Sequence, residues 1–233
     1  MNLYYITGAS SGIGKAMVDL LLENQDNSVV GISRSCTIVH PRYKHLSLDL
    51  SAPWDQMVFE RPKYEPQKVV LINNAGSIGP IKPLHQHSEE DITSNYYLNV
   101  IAPVILSKQF MGVFSELKSE CVVLNISSGA GKHPIHSWST YCSSKAALDM
   151  LSLTADLEHP NVKFYSVAPG IVDTPMQKEI RQAEKANFPE VERFIDYKQN
   201  GDLSSSEEVA RKYLKFLEKS QQYKEVLYSV RDF

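Results

Sequence analysis

Thr7-Gly8-Ala9-Ser10-Ser11-Gly12-Ile13-Gly14 follows the apolar run Leu3-Tyr4-Tyr5-Ile6, and Lys15 after it opens a helical pattern. Glycines at 8, 12 and 14 leave room for a tight strand-to-helix turn and for close approach of a pyrophosphate, whose charge would sit at the helix N-terminus. The spacing is Gly-x-x-x-Gly-x-Gly, not the commoner Gly-x-Gly-x-x-Gly, and a Walker A loop does not fit either. Alone, the pattern reads equally as an ordinary turn.

Outward from this loop, short β-rich runs alternate with helical patterns, as in βαβ units around a parallel sheet. The expected strands are Leu3–Thr7, Ser28–Ser33, His45–Leu48, Lys68–Asn73, Cys121–Ser127, Val162–Val167 and Val226–Val230. Val69–Ile72 and Val122–Leu124 are continuous apolar runs, the mark of strands buried on both faces. Helices are expected from Lys15 to Glu23 and from Ser139 to about Leu157. One begins at Ser88, where Asp91 completes a capping box, and runs to Leu117 with a kink or break at Pro103. A last helix follows Ser204–Glu208, which holds Ser-x-x-Glu in two registers. Pro53, Pro62 and Pro66 leave at most two or three turns around Trp54–Glu60. The polar stretch Gln177–Asp202 lacks a strand pattern and is expected to be a mobile insertion over one sheet edge. The fold class is therefore α/β: a Rossmann-type, doubly wound parallel sheet of about seven strands, residues 1–233 forming one domain with 175–202 as a variable substrate-side insertion.

With 42% hydrophobic and 22% charged residues, 11 Gly and 12 Pro in 233, the chain has the composition of a packed domain. A net charge of −3, with basic residues scattered, gives no reason to expect a nucleic acid or an anionic membrane as partner. Cys36, Cys121 and Cys142 are odd in number and far apart, which argues against a disulfide framework. Neither His85/His87 nor His133/His136 has other ligands at metal spacing, so no metal is expected. No signal-peptide core and no uninterrupted stretch of 18 apolar residues is present, so a cytoplasmic location is expected.

The second strand ends at Ser33-Arg34, where a carboxylate would hold the ribose of NAD. Arg34 there can pair with a 2′-phosphate, and Ser10, Ser11 and Ser33 can donate hydroxyls, so NADP(H) is favoured over NAD(H). An ordinary solvated strand end is the competing reading. Tyr141 and Lys145, four residues apart on a helix, share one face. A phenol beside an ammonium is drawn toward the phenolate, so the pair suits a general acid and its tuner, although the spacing alone recurs in many helices.

With Asp49-Leu50, Asn73-Asn74-Ala75-Gly76, Asn99, Ile126-Ser127-Ser128, Tyr141-Cys142-Ser143-Ser144-Lys145 and Pro169-Gly170-Ile171-Val172-Asp173-Thr174 following the glycine loop in order, the chain resembles the classical short-chain dehydrogenase/reductase family over nearly its whole length. Within it, the chain is most similar to the sepiapterin reductase and benzil reductase-like group. The resemblance implies Tyr141 as general acid/base and Lys145 as its tuner and a ligand of the nicotinamide ribose. It implies Ser128, 13 residues before Tyr141, as donor to the substrate oxygen, with Ser127 the competing choice, and Asn99 as holder of a relay water. Cofactor contacts implied are Gly8, Ser10, Ser11, Gly12, Ile13 and Gly14 in the loop, Ser33 and Arg34, Asp49 and Leu50 at the adenine, Asn74, Ala75 and Gly76, and Pro169, Gly170, Val172 and Thr174 along the nicotinamide.

The expected activity is NADPH-dependent reduction of an aromatic or diketone carbonyl. Ile135, Trp138, Met176 and Phe188 are candidates to line an apolar pocket. Where sepiapterin reductases anchor the pterin with an aspartate, Ser229 stands here with Asp232 three residues on, which disfavours pterin reduction as the alternative. A dinucleotide-binding regulatory protein without turnover is the other alternative. Family members commonly pair through the helices carrying Asn99 and Tyr141, so a homodimer or homotetramer is expected.

Overall fold

A computed structural model describes residues 1–233. Seven strands form one wholly parallel sheet: β1 (Asn2–Thr7), β2 (Asn27–Ser33), β3 (Tyr43–Ser47), β4 (Lys68–Asn73), β5 (Glu120–Ile126), β6 (Val162–Ala168) and β7 (Leu227–Ser229), in the order β3-β2-β1-β4-β5-β6-β7. The direction of strand addition reverses at β1/β4, the place where doubly wound sheets open a crevice at their carboxyl ends. The helices are α1 (Gly12–Glu23), α2 (Glu89–Tyr96), α3 (Ala102–Phe114), α4 (Ser139–Glu158), α5 (Pro175–Ile180), α6 (Val191–Gln199) and α7 (Ser206–Glu218). Alternating side chains of the inner strands feed two cores. One joins the sheet to α1 and α7 and contains Met17, Val70, Val122, Tyr165 and Phe216; the other joins it to α3 and contains Leu71, Val123, Leu106, Phe110 and Phe164.

Two segments differ from the sequence expectation, and at a third the expected break takes a specific form. Trp54–Glu60 forms no helix. Pro53 and Pro62 flank the segment without entering it, so the short helix they leave room for is lost to tertiary packing. Its apolar residues enter the core instead: Phe59 packs 4.7 Å from Tyr5 and 5.7 Å from Phe110 (ring centroids), and Gln109 Oε1 accepts the Val58 amide at 3.0 Å. Burying a phenyl ring contributes about 1.5–3 kcal/mol, enough to hold such a segment without regular structure.

The expected kink at Pro103 takes the form of one π-helical turn, Tyr97–Ile101, between α2 and α3. Pro103 has no N–H to give the Asn99 carbonyl four residues back, and the π turn is where the ladder shifts register. Together Glu89–Phe114 are long and apolar enough by length and composition to cross a membrane, but Leu106, Phe110 and Phe114 are fully buried inside the protein.

The stretch Gln177–Asp202 carries the end of α5 and all of α6. It is not a loose insertion: Ile180, Phe188, Val191 and Phe194 are buried in a third apolar cluster with Trp138, Tyr141 and Ile78, over the carboxyl ends of the central strands.

Candidate active site

A cleft of about 1410 Å³ opens along the carboxyl ends of the strands. The glycine loop forms its floor. Gly8 and Gly12 have φ of +67° and +55°, a region in which L side chains are strained. Gly14 has an ordinary φ, but a Cβ there would collide with Asn74 Nδ2 and the Gly8 carbonyl. Asn74 explains the closeness: its Nδ2 donates to the Thr7 carbonyl at 2.9 Å and, less tightly, to that of Gly8 at 3.3 Å, lacing β4 to the loop. Thr7 Oγ1 in turn accepts the Asn74 and Ala75 amides, each at 2.9 Å. Ser11 precedes α1 with no side-chain capping bond and no acid stands in the first turn, so the leading N–H groups of the helix keep their affinity for an anion. Uncapped amides above a cradle that any Cβ would fill fit the pyrophosphate of a dinucleotide.

Ser10, Ser11, Ser33, Arg34, Asp49 and Leu50 line one arm of this cleft, and Ala75, Gly76, Pro169, Gly170, Val172 and Thr174 line the other. Gly14 stands behind the loop rather than on the cleft wall. Arg34 is exposed and its positive charge helps hold the Asp49 carboxyl below its usual range, after the larger effect of hydrogen bonds from Ser51. The Ser33 hydroxyl donates to the Ser35 carbonyl at 2.8 Å and so shapes the turn that carries Arg34. The segment Val172–Thr174 is pinned by an isolated parallel bridge between Val172 and Ser204 and by the Asp173 amide on the Ser204 carbonyl.

Tyr141 and Lys145 meet the cleft from α4, whose face is fixed from behind by polar contacts. Asn73 Nδ2 donates to Asn125 Oδ1, and Asn125 Nδ2 to Ser152 Oγ, each at 2.8 Å, a chain across β4, β5 and α4. Ser166 Oγ on β6 donates to Asp149 at 2.6 Å. The Lys145 ammonium donates to the Ile126 carbonyl at 2.8 Å, just where β5 ends. Ser127 and Ser128 leave the strand there. Ser127 lines the cleft, its Oγ buried without a partner, whereas Ser128 is not on the lining: its Oγ accepts the Ala130 amide at 3.2 Å and heads the turn Gly129–Gly131 against α4. Burial pushes the Tyr141 phenol up to about 12, with the Ser128 hydroxyl acting the other way, and drives the Lys145 ammonium down to about 8, with the charge of Asp149 opposing.

Asn99, in the π turn, is almost wholly buried and does not line the cleft. Its side chain clamps Ser77 by both backbone groups: Oδ1 accepts the Ser77 amide at 3.0 Å and Nδ2 donates to the Ser77 carbonyl at 2.9 Å. Asn95 supports the same carbonyl at 3.1 Å. Neither Ser77 nor Asn95 carried a sequence signal of its own.

The far wall is aromatic. Trp138 meets Tyr141 edge to face at 5.8 Å and packs against Phe188 at 5.6 Å and Phe194 at 5.4 Å. Ile135, Trp138 and Met176 line the cleft as the sequence suggested. Phe188 does not: it is fully buried behind Trp138, as backing rather than lining. Phe194, Tyr197 and Arg193 of α6 reach the cleft instead, and their short polar helix gave no reason to expect them there. Ser229 lines the cleft, whereas the Asp232 carboxylate accepts the Ser229 amide at 2.6 Å and lies off the wall.

Residues 2–185 match the short chain dehydrogenase family. The chain is 36% identical to a benzil reductase ((S)-benzoin forming) of Bacillus subtilis over 244 aligned positions covering the whole of both proteins. It is 29% identical to the sepiapterin reductase of Xenopus tropicalis, over 93% of this chain and 91% of that one. Among solved structures, a short chain dehydrogenase/reductase of Saccharomyces cerevisiae superposes with a TM-score of 0.83 at 26% identity, covering 99% of this chain and 96% of the other. The chain belongs to the short-chain dehydrogenase family.

Proposed function

We propose that this oxidoreductase uses NADPH to reduce a ketone or aldehyde of aromatic or diketone type, with Tyr141 as proton donor. The observation that carries the reading is a buried Tyr141–Lys145 pair set between the glycine-loop cleft and an aromatic wall, in a chain 36% identical to a benzil reductase along its full length. The dinucleotide, when bound, supplies the hydride that reaches the carbonyl carbon. The first turn of α1 with Gly8, Ser10, Ser11, Gly12 and Ile13 would hold its pyrophosphate, Asp49 and Leu50 its adenine, and Arg34 its 2′-phosphate. Asn74, Ala75 and Gly76 with Pro169–Thr174 would frame the nicotinamide.

Tyr141 stays protonated across the working pH range and delivers its proton to the carbonyl oxygen as negative charge develops there. Ser128 donates a hydrogen bond to the same oxygen, an oxyanion-type contact that strengthens in the transition state. Lys145, charged, stabilises the phenolate left behind. Asn99 holds the Ser77 backbone, and through it the wall beside Gly76 and Lys145. Trp138 and Met176 present apolar surface that suits an aryl group. The chain works as a homodimer or homotetramer in the cytoplasm. Ile101 and Val104, at the start of the α3 arm, and Met150 and Leu157 on α4 expose apolar surface on the helices through which the pairing is expected.

The test follows NADPH oxidation with diketones, quinones and pterins, for wild type and Tyr141→Phe. Diketone turnover that falls about 10²–10⁴-fold in the variant supports the reading. Tight NADPH binding with no turnover of any carbonyl would favour a binding protein instead.

A further inference from the structure

We infer that one face of the edge strand β3, formed by Tyr43, His45 and Ser47, sets the backbone of the Ser33–Ile38 loop and thereby the presentation of Arg34, so that preference for a 2′-phosphate is determined in part by a strand that does not line the cofactor cleft. The inference rests on the NADPH reading above.

Residues 43, 45 and 47 alternate on one side of β3, and each makes a contact to the loop. Tyr43 pairs in register with Val29, His45 with Gly31 and Ser47 with Ser33. Gly31 is what admits the first of them: a Cβ there would collide with Tyr43 Oη, so the Tyr43 ring crosses bare backbone and brings its hydroxyl 3.6 Å from Cys36 Sγ. Cys36 Sγ itself accepts the Ile38 amide at 3.2 Å. His45 stands at the centre. Its Nε2 lies 3.0 Å from the Ser33 carbonyl and 3.2 Å from Ser33 Oγ. A carbonyl can only accept, so the ring carries its proton on Nε2. That leaves the Ser33 hydroxyl to donate to the Ser35 carbonyl at 2.8 Å, closing the turn around Arg34. Ser47 Oγ completes the row on the Arg34 carbonyl at 3.5 Å.

His45 and Ser47 reach main-chain carbonyls of the loop, at Ser33 and Arg34, while Tyr43 acts through the Cys36 thiol, so the row holds the loop's path at three places. Arg34 is the loop's one cation, exposed and without an ion-pair partner within 4 Å. A guanidinium on a wandering loop would lose conformational freedom on meeting a phosphate; one on a backbone already held loses less. None of Tyr43, His45 and Ser47 lines the cleft, so their effect on cofactor choice runs through the loop.

The experiment titrates the full chain calorimetrically with 2′,5′-ADP and with 5′-AMP, two probes that differ only in the 2′-phosphate. Wild type should prefer 2′,5′-ADP. His45→Ala should reduce that preference about threefold to tenfold, the range of one hydrogen bond, with little change for 5′-AMP. His45→Gln, which restores an N–H donor, should recover most of it. Tyr43→Phe keeps the ring over Gly31 and removes only the hydroxyl, so it should move the ratio in the same direction even if His45→Ala fails to fold. Equal weakening of both probes, or an unchanged ratio in every variant of the row, overturns the inference. Arg34→Ala separates the two levels. If it abolishes the preference while the His45 and Tyr43 variants keep it, only the role of β3 falls; if Arg34→Ala keeps the preference, Arg34 is not the phosphate ligand and the inference falls while the NADPH reading stands; if wild type itself shows no preference, the NADPH reading falls.

Discussion

The Lys145 ammonium nitrogen stands 5.8 Å from the centre of the Tyr141 ring, one turn along α4, with both residues about 95% buried. Burial moves the two groups in opposite directions, Tyr141 up to about 12 and Lys145 down to about 8, so each resists carrying charge. Proton delivery from Tyr141 leaves a phenolate, which needs Lys145 charged. The reduction rate should therefore be highest below pH 8 and fall as pH rises through about 8, while Lys145→Met should be slow and lose this limb. A profile of kcat/KM against pH for both proteins checks it.

Stability carries the same signature with a definite sign. Unfolded, Lys145 returns to its ordinary value of 10.5, so between about 8 and 10.5 the unfolded chain holds a proton that the folded one has released. Lys145 therefore makes stability rise with pH in that window. Tyr141 acts oppositely from 10 to about 12, where the folded state keeps a proton that the unfolded chain has lost, so its contribution falls away. Relative to Lys145→Met, the urea midpoint of wild type should therefore rise from pH 7 to pH 10. A difference that does not change with pH would mean that the ammonium is not desolvated.

Gly14→Ala should be worse than its φ suggests. The new Cβ would meet Asn74 Nδ2 and the Gly8 carbonyl, both held by the lacing between β1 and β4. Overpacking of this kind costs about 1–3 kcal/mol and would push the loop away from the anion position. The expected outcome is a lower melting temperature together with weaker dinucleotide binding, which Asn74→Ala in the same chain should not restore, because the Gly8 carbonyl is equally close and Asn74 itself holds the loop. Thermal unfolding and calorimetric titration of the single and double variants measure both.

Much of this architecture is legible in the chain because local and global signals agree. Apolar runs such as Val69–Ile72 have room only inside a parallel sheet, and β4 occupies Lys68–Asn73 as its pattern indicates. Ser88 with Asp91 and Ser205 with Glu208 form the capping boxes their spacing suggests. What escaped is decided by partners distant in sequence. Val58 and Phe59 forgo a helix because Tyr5, Phe110 and Gln109 receive them. Phe188 and Phe194 sit in short polar surroundings and gain their place only by stacking on Trp138. His45 looks like any edge-strand residue until Gly31 and Ser33 are beside it. In the site, the spacing of Tyr141 and Lys145 is a local fact of one helix, whereas the clamp of Asn99 on Ser77 exists only once the π turn has formed.

Trp138→Ala should act on substrate size more than on chemistry. It removes the surface between Tyr141 and Phe194 and uncovers Phe188, now fully buried. Truncating a large buried aromatic costs about 3–5 kcal/mol, so the melting temperature should fall. Among folded protein, KM for a diaryl diketone should rise about tenfold or more while KM for a small aliphatic diketone changes little, since only the larger substrate needs the wall. A Phe188→Leu variant, which thins the backing but leaves Trp138 in place, should lower stability and leave the ratio of the two KM values unchanged. Equal changes for both substrates in Trp138→Ala would remove the tryptophan from the substrate wall.

Asn99 offers a test of whether the pH limb belongs to Lys145. A Cβ placed on Gly76 would lie 3.1 Å from Asn99 Oδ1 and 3.6 Å from Lys145 Nζ, so the amide and the ammonium flank the same small space. Asn99→Asp keeps an acceptor for the Ser77 amide but exchanges the Nδ2 donor for negative charge. Asn95 still donates to the Ser77 carbonyl, so the wall should survive with a modest loss of stability, about 1–3 kcal/mol. The new carboxylate favours the charged form of Lys145 and should move the alkaline limb above pH 8, opposite to the effect of burial. Asn99→Ala, with no charge added, should reduce the rate and leave the limb where it is. If Asn99→Asp leaves the limb unmoved while folding and binding the dinucleotide normally, the group titrating there is not Lys145.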